Sequence, residues 1–122
     1  MDQKAFESLV KRAVATLPHE FLECLDNVEI VVEDLPNNQQ LKRAGIKRQY
    51  QLLGLYEGVP QNRRGSRYGM VLPDKITIFR RPIEVVCRDS GEVESKVQAV
   101  VKHEIAHHFG ISDAQLKRIM RN

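Results

Sequence analysis

The residues best suited to chemistry lie near the end of the chain, in the sequence His103-Glu104-Ile105-Ala106-His107. On a helix, the two histidines are about 40° apart around the axis and about 6 Å apart along it. Both imidazoles can therefore reach one metal ion. Glu104 projects beside them, where a carboxylate can take a proton from a water molecule on that metal. The spacing predicts a metal site with a general base next to it.

A third ligand is expected, because catalytic zinc has three protein ligands and leaves a fourth position for water. Asp113 is the candidate, since a carboxylate oxygen is a normal zinc donor. Gly110 can adopt a positive φ, end the helix and fold the chain back towards the ion. A second interpretation stays open, in which Ser112 and Gln115 form a capping box for a helix over 113–120 and Asp113 is an ordinary first-turn acid. Both interpretations can hold together.

The other histidines are less informative. A purely structural interpretation makes one of His103 and His107 an exposed helix residue and the other a buried one. The clustering of three of the four histidines between positions 103 and 108 argues against this interpretation. His108 shares a helix face with Glu104, and it could orient that carboxylate, donate to a substrate oxygen or lie on the surface. His19 has no metal-spaced partner nearby, so a surface or capping role is predicted for it.

Size and composition are those of an ordinary globular domain, and we expect one domain over residues 1–122. Hydrophobic residues make up 42% and charged residues 29% of the chain, and no apolar run approaches the roughly 20 residues that a bilayer span needs. The N-terminus lacks the apolar core of a signal peptide, so a cytoplasmic location is expected. Cys24 and Cys87 form no C-x-x-C pair, which argues against a disulfide framework and a cysteine zinc site.

The formal net charge of +3 is too small to indicate nucleic acid as a partner. We therefore expect no nucleic acid and no membrane among the partners, and a monomer. The basic clusters of the chain are typical of solvated faces.

Hydrophobic periodicity predicts the elements that position the motif. Residues 37–49 read as an exposed loop or a short helix over 39–44, and residues 68–72 as a further short strand. The main elements are predicted as a helix over 2–15, strands over 28–33, 50–58 and 75–79, a short helix over 83–87, and a long helix over 92–109 ending at Gly110. The third of these strands alternates as a half-buried strand does. This order indicates an α+β fold with a small mixed sheet of three to four strands and a short helix at the C-terminus.

The chain also resembles a known group, the small bacterial zincin-like proteins of minimal metallopeptidase-like fold. Their signature H-E-x-x-H-x-x-G-x-x-D is matched by residues 103–113, and further segments match in the same order at 6–10, 26–34, 52–60 and 72–83. The resemblance implies a compact zincin-like domain in which His103, His107 and Asp113 are the zinc ligands and Glu104 is the catalytic glutamate.

Three functions are compatible with the pattern. The first is a zinc-dependent hydrolase of peptide bonds in peptides or proteins, with Glu104 as general base. The second is a catalytically idle module that binds a metal or a partner. The third is a metal-dependent endoribonuclease, because the spacing of His103, His107 and Asp113 resembles the H-x3-H-x5-H spacing of ribosomal-RNA-maturation endonucleases. The glutamate at 104 and the aspartate at 113 argue against the third.

Overall fold

A computed structural model describes residues 1–58, 72–111, 114–115 and 117–118. It combines five helices and three strands among these residues in an α+β arrangement, which confirms the predicted fold class. In chain order they are α1 (Gln3–Ala15), α2 (His19–Cys24), β1 (Val28–Glu33), α3 (Asn38–Ala44), one 3-10 turn (Gln49–Gln51), β2 (Gly54–Glu57), β3 (Asp74–Phe79), α4 (Arg80–Val86) and α5 (Ser90–Phe109).

The three described strands form one mixed sheet in the order β1-β3-β2. β1 runs parallel to β3, with Val31 opposite Thr77, and β2 runs antiparallel to it, with Leu55 opposite Thr77. β3 is therefore the central strand. Ile76 and Ile78 point into one hydrophobic cluster and Phe79 into another, and all three are fully buried. The half-buried character predicted for this strand was wrong, because one hydrophobic cluster covers each of its faces.

The larger cluster lies between the sheet and two helices. α1 packs along α5, and both pack their apolar stripes towards the sheet. Phe6 from α1 and Val97, Val101 and Ile105 from α5 are completely buried there. Polar contacts fix the pairing of the two helices, since Gln98 Nε2 donates to the Ala13 carbonyl at 3.0 Å. The opposite face of the sheet is covered by α3 and the segment after it, through Leu41, Leu52, Leu55 and Phe79.

Both ends of α5 have clear causes in the sequence. At its start, the Asp89 side chain accepts a hydrogen bond from the Glu92 backbone N–H at 2.9 Å. The helix begins at Ser90, two residues before the predicted start, because Asp89 acts as its cap and not as a break. At its end, Gly110 adopts the left-handed conformation with φ 67° and ψ 31°, as predicted.

Several predicted boundaries were wrong. β2 covers only Gly54–Glu57, since Gln49–Gln51 form a 3-10 turn where the strand was expected to begin. The short helix α2 was not predicted, and its first residue His19 forms an ion pair with Glu23 at 2.8 Å on the surface. For residues 37–49 the helix alternative was right, with an Asn37–Gln40 capping box starting α3. The strand predicted at 68–72 and the helix predicted over 113–120 fall largely outside the described residues.

Gly54 allows β2 to approach α5 closely, which matters because α5 carries the motif. A Cβ at this position would overlap Val100 Cγ1 and lie 3.2 Å from the Thr77 carbonyl oxygen. We expect Gly54→Ala to lower the free energy of unfolding by about 1–3 kcal/mol, as overpacking does. Urea denaturation of Gly54→Ala alone and with Val100→Ala tests this. The cost should fall when Val100 is truncated, and an equal cost in both backgrounds would contradict the close approach.

In the described part of the chain, no helix is both long enough and apolar enough to cross a bilayer.

Candidate metal centre and active site

His103 and His107 project from the last two turns of α5, on its exposed side. Their ring centroids are 6.4 Å apart and their planes differ by 2°. The rings thus face the same way from successive turns, as the spacing predicted. Imidazole nitrogen is a normal zinc donor at about 2.0–2.1 Å, so the two side chains are candidate ligands of one shared ion.

Glu104 lies on the neighbouring side of α5, half-buried against the sheet. Its Oε1 accepts a hydrogen bond of 2.9 Å from the backbone N–H of Tyr56 in β2. The Phe79 backbone N–H donates to the Leu53 carbonyl, so the backbone groups of Leu53 point towards β3. Successive residues of an antiparallel strand direct these groups to alternate sides. Tyr56, three residues later, therefore directs its N–H away from β3, towards the outer edge of β2. The carboxylate is therefore held against this edge by one of its two oxygens.

Tyr56 is itself held on two sides. Its ring stacks on His108, with centroids 3.8 Å apart and planes 11° apart. Its hydroxyl donates to Asp74 Oδ2 at 2.7 Å, and Asp74 is buried at the start of β3. His108 thus lies against the strand residue that holds Glu104. Of the roles considered for His108, this contact favours orientation of Glu104, through Tyr56.

The turn after α5 was predicted to bring a third ligand to the histidines. Gly110 does end the helix, and the Ile111 N–H returns to the Ala106 carbonyl at 2.9 Å. Ile111 then packs against the main core cluster, so the chain reverses towards the body of the protein. Asp113 and Ser112 lie outside the described residues. Within the residues that are described, no three His, Cys, Asp or Glu side chains form a group able to hold a metal ion. Asp113 therefore stays a prediction.

A cleft of about 420 Å³ runs along α5 next to the motif. His103 and Glu104 line one end of it, and Lys96 lies two turns earlier on the same side of the helix. Leu53 and Gly54 contribute the lining from the start of β2. A chain segment in this cleft would contact both the motif and the edge strand.

The zincin-like metallopeptidase family profile matches residues 25–121, which is most of the chain. The chain belongs to this family. The match covers the sheet, the motif helix and the turn after it, and it begins after α1 and α2. A comparison with curated proteins gave no match. Family membership supports a metallopeptidase-like function for this zincin-like chain, and zinc dependence is a property of the family.

The two cysteines of this zincin-like domain stand apart from the chemistry. Cys24 and Cys87 are free and half-buried. Burial raises the pKa of both thiols, and the negative charges of Glu23 and Glu92 raise it further at Cys24 and Cys87 respectively. Both thiols therefore stay protonated at neutral pH, a form that neither attacks a substrate nor binds zinc well.

Sequence reasoning missed two features of the site. The hydrogen bond from Tyr56 to Glu104 uses the backbone N–H, which every residue except proline has, so no side-chain pattern could have revealed it. Lys96 could have been found, because it is seven residues before His103 and so falls on the same side of the helix.

Proposed function

We propose that the protein is a zinc-dependent hydrolase that cleaves peptide bonds in peptides or protein segments. One observation carries the proposal: Glu104 lies on α5 between two histidines at metal-ligand spacing and is hydrogen-bonded to an edge strand at 2.9 Å. Family membership points in the same direction.

The residues that would hold zinc are His103, His107 and Asp113, a nitrogen and carboxylate set that suits this metal. Zinc bound there would supply Lewis acidity, which makes water a better nucleophile near neutral pH and polarises a substrate carbonyl. Asp113 is included because the Gly110 turn directs the chain back towards the core just before it.

Glu104 supplies the proton transfers. Its Oε1 is engaged by Tyr56, which leaves Oε2 to accept a proton from the attacking water. The same carboxyl group then donates that proton to the nitrogen of the leaving amine, so that the amine departs neutral. A base held by one oxygen has a fixed orientation, which reduces the reorganisation needed when the water attacks.

Substrate binding is assigned to the cleft beside the motif. Its lining is largely apolar, with Leu52, Leu53, Ala99 and Val100 among the contributors. An extended peptide there would place its backbone near β2 and one apolar side chain against the apolar lining of the cleft. The reacting carbonyl would then lie close to Glu104.

A peptide library tests this function. We expect the protein to cleave members of a broad library after loading with one equivalent of zinc, to lose activity in a chelator and to regain it when zinc is restored. A metal-replete protein that cleaves no member would contradict the proposal. If zinc then raises the melting temperature without any reaction, the idle metal-binding module is the better account, and cleavage of RNA would instead favour the endoribonuclease.

A further inference from the structure

The second candidate surface lies at the other edge of the sheet, along β1. Among the described strands, β3 is its only neighbour. The Asp74 N–H donates to the Asn27 carbonyl, so this carbonyl points towards β3. The N–H of the next residue, Val28, donates instead to the Leu25 carbonyl and so points away from β3. Since alternate residues of a strand point to alternate sides, Ile30 and Val32 direct their backbone N–H and C=O groups towards the outer edge. This edge can accept a further strand.

A groove of about 520 Å³ follows the same edge, between β1 and α1. Its lining is mainly apolar, with one acid and one base from α1, Glu7 and Lys11. The apolar lining includes Val10 and, in addition, Val14, Ile30 and Val32. The last three are only half-buried, although they pack on the main core cluster. A strand added to β1 would lie about 4.8 Å from it, with alternate side chains entering the groove beside α1.

Charge on the other face of β1 restricts the occupant. Glu29 and Glu33 point to the face opposite Ile30 and Val32, because strand residues alternate. Asp34, just after the strand, is ion-paired with Arg80 at 3.1 Å, and Lys75 of β3 is the register partner of Glu29 on the inner side. On the outer side, side chains on this face of an added strand would lie directly beside Glu29 and Glu33, which favours basic residues.

A second copy of the same chain suits this edge poorly. In an antiparallel pair of β1 strands centred on Val31, Glu29 of each copy would face Glu33 of the other. Other antiparallel registers still bring Glu29 and Glu33 of both copies onto one face of the shared sheet. Like charges directly opposite are destabilising in a sheet, so the occupant should be a different, basic segment.

We infer that the outer edge of β1 is a binding site for an extended peptide or protein segment in which apolar and basic residues alternate. The apolar residues enter the groove beneath α1, and the basic residues lie over Glu29 and Glu33. The peptide backbone pairs with Ile30 and Val32 as an added strand. This site uses no residue of the metal motif. One wall is α1, which precedes the segment matched by the family profile.

The test uses a labelled, end-capped hexapeptide of alternating valine and lysine, with binding followed by fluorescence anisotropy. A matched peptide with glutamate in place of lysine should bind about tenfold more weakly. The net charge of +3 would by itself favour the glutamate peptide, so a preference for lysine reports the local field. A third peptide, N-methylated on alternate residues of its pairing edge, should also bind about tenfold more weakly, because it cannot complete the strand.

Protein variants locate the site. Glu29→Lys should weaken binding of the lysine peptide by about tenfold. Glu20→Lys makes the same charge change on the exposed surface of α2 and should leave that binding unchanged. The affinity for the lysine peptide should be the same in zinc and in chelator, and the same in Glu104→Gln. The result therefore tests this site independently of the hydrolase proposal. The inference is overturned if no saturable binding occurs, if N-methylation or Glu29→Lys has no effect, or if the edge instead forms a dimer in sedimentation experiments.

Discussion

Replacing Glu104 by Gln is expected to reduce the rate of peptide hydrolysis by about 10²–10⁴-fold while leaving one equivalent of zinc bound. The amide has no basic oxygen that can accept and return a proton. Its side chain has the same length, and its oxygen can still accept the Tyr56 N–H that Glu104 accepts at 2.9 Å. The fold and the two imidazoles should therefore be unaffected, and the loss should appear in kcat.

The measurement is steady-state cleavage of the best library peptide, together with zinc analysis and a thermal melt of each variant. Glu94→Gln is the matched control, since it makes the same change on the same helix at an exposed ion pair with Arg12. Such pairs contribute little to stability, so this variant should remain active. Equal activity of Glu104→Gln and the wild type would rule out Glu104 as the base.

The second large effect is expected on metal binding. His103→Ala and His107→Ala should each weaken zinc binding by more than about 100-fold, because loss of a ligand exceeds the 10–100-fold typical of residues that only support ligands. Both side chains are exposed, so the metal-free variants should keep the wild-type melting temperature. Competition with a chromophoric chelator measures the affinity.

His108→Ala is the control for that comparison. It removes an imidazole from the same turn of α5, but this ring stacks on Tyr56 instead of facing His103. Zinc affinity should stay close to that of the wild type. If His108→Ala loses zinc and His103→Ala keeps it, the assignment of the ligands is wrong.

The motif helix could be predicted from sequence because its information is local. Val93, Val97, Val101 and Ile105 recur at helical spacing, and the structure buries all four. The end of the helix could be predicted in the same way, since a glycine after the last periodic residue commonly takes the left-handed conformation that Gly110 adopts. The relation between His103 and His107 follows from helix geometry alone.

Other features depended on distant parts of the chain. β3 is buried on both faces because separate parts of the chain pack on each face of the sheet, and this packing cannot be read from alternation within one strand. The helix α2 has six residues and no side-chain cap, so its pattern is too short to identify. The hydrogen bond that positions Glu104 comes from the backbone N–H of Tyr56, which is 48 positions away in the chain.

The central claim is that one zinc ion lies between the imidazoles of His103 and His107, with Asp113 as the third protein ligand. A crystal structure of the zinc-loaded protein, with anomalous data collected on both sides of the zinc absorption edge, tests it most directly. We expect one strong anomalous peak about 2.0–2.2 Å from a nitrogen of each histidine and from an oxygen of Asp113. A zinc peak bound elsewhere, or histidines without a peak in crystals grown with excess zinc, would contradict it.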